Sequence, residues 1–435
     1  MPQELDADHL EHLGAALLAT GGMFVEKNIT ERVAYRKELE EIDAFGTTWR
    51  NGRVLKVLIE AKSGQWGSRE LFSLLGKKEY LGAHTAALLH CSKTTRPKHL
   101  ELAKRFETKG YRIFIVEASE VTAEVIADIC EEDEDLVSQR LNIIHSLQTW
   151  RYAFWTERVL LKHLIKTAKA LGDRVKSLNE ARNLVNKFDE CFFRHDPIEQ
   201  ACLLYDFYFH HRKLTRKIVE ERCKIAPGDE LRGLSSEQAF SACIYDGTLD
   251  EAQAALYLEH RARCSLLKIA VDLIMTNYPS PPELSRVKDY LLPASFWQFV
   301  SEVSRMPNVQ KLPQLWQSYI FGWGGFIVLD HENDEYANIG LEVGLNPEQV
   351  RVGLKAFDQL FPIPSEDGWH YEQKDTGLRI LKLVPNAFRA LGVQRRRWIY
   401  GDEEFLGKLP PLGFKDCKKW AECGYELLGS EASHF

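Results

Sequence analysis

Hydrophobic and polar positions recur along this chain with two different periods, and the change of period divides it. Leu10, Leu13 and Leu17 follow helical spacing, which predicts a helix from Asp8 to about Thr20, capped by Asp6 or Asp8 and ended by Gly21-Gly22. "MFVEKN" and "ELEEIDAF" (Glu38–Phe45) then read as strands, "GTTWRNGR" as a polar turn, and the run from Val54 as a third strand. A helix is expected near Ser68–Tyr80 with Leu71, Leu74 and Leu75 inward. "TAALLHC" is a short apolar strand, "RPKHLELAKRFETKG" a helix with proline at its start and glycine past its end, and "YRIFIVEA" a last strand. The resulting order, α-β-β-β-α-β-α-β, makes one α/β domain.

Beyond it, "ICEEDEDL" (Ile129–Leu136) reads as an acidic surface block or linker. Every periodic segment from about Asn142 to Met306 is helical, interrupted at Pro279, Pro281 and Pro282. "EYANIGLEVGLNPEQVRVGLKAFDQLF" then has the grammar of a helix-turn-helix. Gly344-Leu345 makes the turn, Asn346 or Pro347 starts the second helix, and Val350, Leu354 and Phe357 face inward. Residues 367–384 fit a two-stranded wing turning at Lys374-Asp375-Thr376-Gly377. The expected class is therefore α/β + α. An α/β domain (1–120) leads through an acidic linker (121–140) to a helical domain (141–310), a winged-helix-like domain (311–400) and a tail (401–435).

A length of 435 residues with 45% hydrophobic content suffices for several cores, and the net charge of −7 offers no global attraction for a polyanion. Any nucleic-acid contact must come from local basic patches. The first residues lack the basic-then-apolar order of a secretion signal, and the best apolar run, Tyr319–Leu329, is too short to span a bilayer. The nine cysteines are scattered, Cys417 and Cys423 being the closest pair, as expected of reduced thiols in a cytoplasmic protein. Gly-rich phosphate loops are absent.

The chemistry concentrates at the end of the third strand, where "IEAK" places Glu60 and Lys62 on one face. The tripeptide acid-x-Lys is cheap, since Glu107-Lys109, Glu372-Lys374 and Asp416-Lys418 repeat it. Only Glu60-Lys62 follows a neighbouring strand that also ends in acids, Glu41 and Asp43. If those strands pair as a hairpin, Asp43 and Glu60 converge beside Lys62. Two carboxylates there suit a hard divalent cation, and the lysine suits a developing phosphate charge.

With "EID", "IEAK" and the α-β-β-β-α-β-α-β order together, the first quarter of the chain (6–118) resembles the PD-(D/E)xK, restriction-endonuclease-like, nuclease superfamily. The likeness is to its Mrr-type and archaeal Holliday-junction-resolvase branches. Ile42 rather than proline precedes Asp43, and no QxxxY follows, which sets the RecB-like exonuclease branch aside. The resemblance implies a Mg²⁺-dependent (or Mn²⁺-dependent) endonuclease acting on DNA in restriction, antiviral defence or repair. Its catalytic residues would be Asp43, Glu60 and Lys62, with Glu11 added from the first helix. The metal would be held by Asp43, Glu60, the Ala61 carbonyl and Glu11. The alternative is a nuclease fold without activity, serving DNA binding or assembly.

Other candidates are secondary. His9 and His12 lie one turn apart as a possible metal pair. His195-Asp196 and His210-His211 sit among aromatics that read as packing. DNA contacts are expected from Arg351 and Lys355 on the second helix of the winged-helix region, from Arg395, Arg396 and Arg397 behind it, and from Lys77, Lys78, Arg96 and Lys98 near the sheet end. Between 336 and 400, nine basic residues face seven acidic ones, so that region would serve protein contacts as readily as DNA. Cleaving two strands would take two copies, so a homodimer, or a partner bound through the helical or winged-helix region, is expected.

Overall fold

A computed structural model of the chain describes residues 7–33, 37–50, 52–91, 97–194, 196–209, 213–225, 231–276, 294–361, 368–373 and 377–401. The fold is mixed α/β and mostly helical, with a five-stranded mixed sheet in its N-terminal part. It divides into two compact units, one of Met1–Trp155 with Leu341–Gly344, the other of Thr156–Gly340 with Leu345–Phe435. Among the described residues no helix is long and apolar enough to cross a membrane.

The first unit has the expected element order: α1 (Ala7–Thr20), β1 (Phe24–Val33), β2 (Lys37–Arg50), β3 (Arg53–Lys62), α2 (Ser68–Tyr80), β4 (Thr85–His90), α3 (Pro97–Glu107) and β5 (Arg112–Glu117). The sheet runs β1-β2-β3-β4-β5, with antiparallel pairing from β1 to β3 and parallel pairing from β3 to β5. α1 lies close against the sheet at Gly14, where a Cβ would come within 2.9 Å of Ile59 and 3.6 Å of Leu89. A larger residue there would lift the helix off β3 and carry Glu11, one turn earlier, away from the strand ends.

Two sequence expectations change. "GTTWRNGR" is mostly strand. Thr47, Thr48 and Trp49 are buried and paired with β3, the ladder running out to Arg50↔Arg53, with Gly52 at φ +73°. A two-residue Asn-Gly connection is the preferred hairpin turn, because its positive φ matches strand twist. Nor is the acidic block a linker, since it forms the start of α5 (Glu134–Asn142) and the junction with α4 (Ala123–Cys130). Its acids answer arginines from the sheet. Glu131 binds Arg53 and, at 2.7 Å, Arg112, while Glu132 binds Arg50 at 2.7 Å and the buried Arg140 at 3.1 Å.

The second unit is built around a long buried helix, α11 (Asp250–Met275), which packs with α7 (Lys176–Phe193), α8 (Pro197–Phe209) and α9 (Lys213–Ile225). Its later part carries α14 (Glu332–Val343) up to Gly340, α15 (Pro347–Leu360) and a small sheet of β6 (Phe326–Val328), β8 (Leu378–Leu381) and β7 (His370–Gln373), in that order. Asn346 starts α15 with reciprocal hydrogen bonds to Gln349, 2.9 Å each way, and Pro347 fills the first helical position. The expected wing turn at 374–376 lies outside the described residues, as do the prolines at 279, 281 and 282.

Helix α16 (Asn386–Tyr400) corrects the reading of the arginine triplet. Arg395 and Arg396 are fully buried, which takes them off any surface a nucleic acid would meet. Arg396 grips the carboxylate of Glu335 through Nε at 2.9 Å to both oxygens, donates to the Trp323 and Phe326 carbonyls, and lies 3.8 Å from the Phe326 ring centre. Arg395 stacks over Trp323 at 4.1 Å, and Arg397 is half-buried beside Gln394. Removing one partner of such a pair leaves a buried charge unanswered. Glu335→Ala should therefore lower the unfolding free energy by about 3–5 kcal/mol, while Lys355→Ala, on the exposed side of α15, should stay within roughly 0.5 kcal/mol. Denaturant midpoints of the two variants check this.

Candidate active site

The site arises where two ladders part. Pairing of β2 with β3 stops at Ala44↔Ile59. Beyond that point β2 continues with β1 as far as Val33↔Lys37, and β3 continues with β4 as far as Lys62↔His90. Asp43 and Glu60 are the next residues on either side of the fork. With the strand carbonyl gone, the Asp43 carboxylate takes over and accepts from the Ala61 N–H at 2.7 Å. An aspartate serves here because its carboxylate can cap an N–H that the ladder no longer reaches. Ala61 thus enters the site through its N–H.

Period-two alternation puts Glu60 and Lys62 on one face, and they meet. The Lys62 ammonium donates to Glu60 Oε1 at 2.7 Å. A second ammonium, from Lys77 on α2, donates to Glu60 Oε2 at 2.8 Å, with the Glu40 carboxylate and the Glu41 carbonyl also at 2.8 Å. The Lys62 side chain is 35% exposed, those of Glu60 and Lys77 only 9%. Burial works against the charge on Lys77, but Glu60 and Glu40 more than offset it and hold its pKa above the ordinary lysine value.

Asp43 carries the electrostatic strain. Burial first, then the neighbouring Glu60 charge, push its pKa up to about 7; the Ala61 N–H and Lys62 act the other way, and Glu11 adds to the rise. A carboxyl that is both buried and beside another carboxylate binds its proton more tightly, because burial and like charge each disfavour the ionised form. A divalent cation would relieve the same repulsion. Among the described residues no group of three or more histidine, cysteine, aspartate and glutamate side chains is placed to hold a metal ion. The fork supplies a pair, with Glu11 within electrostatic reach. Mg²⁺ commonly needs no more than one or two carboxylates, taking its other ligands from water and substrate phosphate. The donor set fits such an ion.

The remaining candidates separate. Lys77 and Lys78 are both largely buried and part company: Lys77 belongs to the fork, while Lys78 pairs with Glu79 at 3.1 Å, sits over the Tyr111 ring and lines a shallow pocket with Arg53, His84 and Arg112. Lys98 is exposed on α3, and Arg96 lies outside the described residues. Arg351 pairs with Glu348 at 3.4 Å and lies over Tyr336, while Lys355 is exposed. His12 is buried in α1 and His9 half-buried. Asp196 accepts from the Ile198 N–H at 2.9 Å, the work of a helix start. His195, His210, His211, Cys417 and Cys423 fall outside the described residues.

Sequence reasoning missed one neighbour of Lys62. His90 stands opposite it in the parallel ladder, and Trp66, from the loop after β3, lies between the rings of His90 (4.9 Å) and His99 (4.8 Å). The only sequence signal was the tryptophan in "SGQWG", since which strand lies beside Lys62 depends on register. No family model, curated protein or solved structure matches this chain.

The Asp43 shift has a definite sign. Its folded pKa lies above the unfolded value of 3.8, so the folded chain binds the extra proton. Without metal, stability should therefore fall as pH rises from near 3.8 to about 7 and level off above, with a limiting slope of roughly 1.4 kcal/mol per pH unit. Asp43→Asn, which keeps the acceptor for Ala61, should remove that slope and be the more stable protein near neutrality. Denaturant unfolding of both chains across this pH range, in chelator, is the check.

Proposed function

We propose that the first unit is a metal-dependent endonuclease of the restriction-endonuclease-like class, and that the later part of the second unit is a winged-helix module. The observation that carries the first reading is the meeting of Asp43 and Glu60 at one strand fork, with the Lys62 ammonium on Glu60. When bound, Mg²⁺ (or Mn²⁺) would supply Lewis acidity toward a phosphodiester oxygen and toward water. Asp43 and Glu60 would hold it, assisted by Glu11. The chain's own share follows from placement. Asp43 is held through one oxygen by the Ala61 N–H, and the other would serve the ion. Glu60 is oriented by two ammoniums. Lys62, the more exposed of these, reaches solvent where a phosphate would lie, and there it would stabilise charge developing on phosphorus-bound oxygens. The products would be 5′-phosphate and 3′-hydroxyl ends.

A second reading has its own support. Both Glu60 oxygens and one Asp43 oxygen already have partners within the chain, an arrangement that also suits an inactive scaffold. Such a protein would use its winged helix for DNA or protein contact, through Arg351 and Lys355.

Cleavage separates the two readings. Lys62→Ala and Asp43→Ala should each abolish Mg²⁺-dependent cleavage across a panel of duplex, junction and single-stranded DNA and RNA, with circular dichroism unchanged. Ca²⁺ should bind without supporting turnover, because it does not impose tight octahedral geometry. No cleavage by the wild type, or full activity in either variant, would sink the nuclease reading. In the same preparations, Arg351→Ala with Lys355→Ala should weaken DNA binding and make its salt dependence shallower, since fewer counterions are released. Unchanged binding would remove α15 as the DNA-facing helix.

A further inference from the structure

The two lysines on Glu60 are not equivalent. A lysine ammonium has three N–H donors and no acceptor. In Lys77 all three are answered, by Glu40, the Glu41 carbonyl and Glu60 Oε2, each at 2.8 Å. Glu40 and Glu41 belong to the arm of β2 that has left β3, while Glu60 belongs to β3 itself. Lys77 therefore ties both arms of the fork to α2 from a buried position. Lys62 meets the other oxygen, Oε1, from a side chain that is 35% exposed, where water can replace its partner. An ion pair at such a site is exchanged cheaply, whereas a buried and saturated one is not.

We propose that Lys77 is the positioning residue of this site: it retains Glu60 Oε2 throughout, so that a divalent cation takes Oε1 and Lys62 is set free in the same exchange. Lys77 then does not contact nucleic acid. It decides which carboxylate oxygen is available and keeps the fork at one width. Lys62, bound to Glu60 before the cation arrives, becomes available to substrate only afterwards. The inference rests on the nuclease reading for the nature of the cation, but its test does not depend on cleavage.

The probe is acetylation of lysines by a water-soluble reagent, read by peptide mass spectrometry on the full chain, with chelator or with Ca²⁺ alone. In the wild type, Lys77 should label slowly under both conditions, and Lys62 should label severalfold faster once Ca²⁺ is added. In Lys77→Met, Oε2 is open to the cation and Oε1 stays with Lys62, so the Ca²⁺ response of Lys62 should be lost. Lys77→Arg, which keeps the charge, should restore most of it. Should the methionine variant fail to fold, the wild-type arms alone decide. Labelling of Lys77 that rises with Ca²⁺, or a Lys62 response that persists in Lys77→Met, overturns the proposal. A Lys62 response without Mg²⁺-dependent cleavage defeats the nuclease reading and leaves this one standing. Cleavage with no Lys62 response does the reverse.

Discussion

The parting of β2 from β3 after Ala44↔Ile59 is the constraint on which the candidate site depends. A continuous ladder would pair the backbones at Asp43 and Glu60 and leave no gap between them. Because each strand keeps a second partner, β1 for β2 and β4 for β3, the fork opens without unravelling the sheet. The hydrogen bond from Ala61 to Asp43 closes the ladder's end, so the acid that repairs the backbone is also the acid that faces the fork.

Charge is then managed within a few residues. Glu60 lies between two ammoniums, while burial, with the charges of Glu60 and Glu11, raises the pKa of Asp43 to about 7. An ordinary surface ion pair would need neither the burial nor the two further Lys77 partners on the departing arm of β2. Two other clusters among the described residues pair their acids with arginines. Glu131 and Glu132 satisfy arginines of the sheet and of α5, and Glu335 satisfies Arg396, so those groups consolidate packing. The fork differs in that its acids outnumber their near cations on the Asp43 side, where a cation would be stabilised.

Much of this was legible from periodicity. Leu10, Leu13 and Leu17 mark α1, and the unbroken apolar run Ala86–Leu89 within "TAALLH" marks a strand buried on both faces. Asp43, Glu60 and Lys62 were found because two acidic strand ends lie one hairpin apart. What escaped is whatever depends on burial of polar groups. Thr47 and Thr48 look like loop residues, yet both are covered and paired with β3. Lys77 and Arg396 look like surface charges, because sequence does not reveal that Glu60 or Glu335 waits inside. The acidic run 131–135 reads as linker for the same reason: its arginine partners come from strands far away in sequence.

The central claim is that the fork is a cation site. Anomalous diffraction from a crystal soaked in Mn²⁺ tests it most directly, since the ion is located without reference to activity. The account predicts a single strong peak within bonding distance of one oxygen of Asp43 and Oε1 of Glu60, with Lys77 still on Oε2. A peak placed elsewhere, or none at the fork while the Lys62–Glu60 pair stays intact, would contradict it.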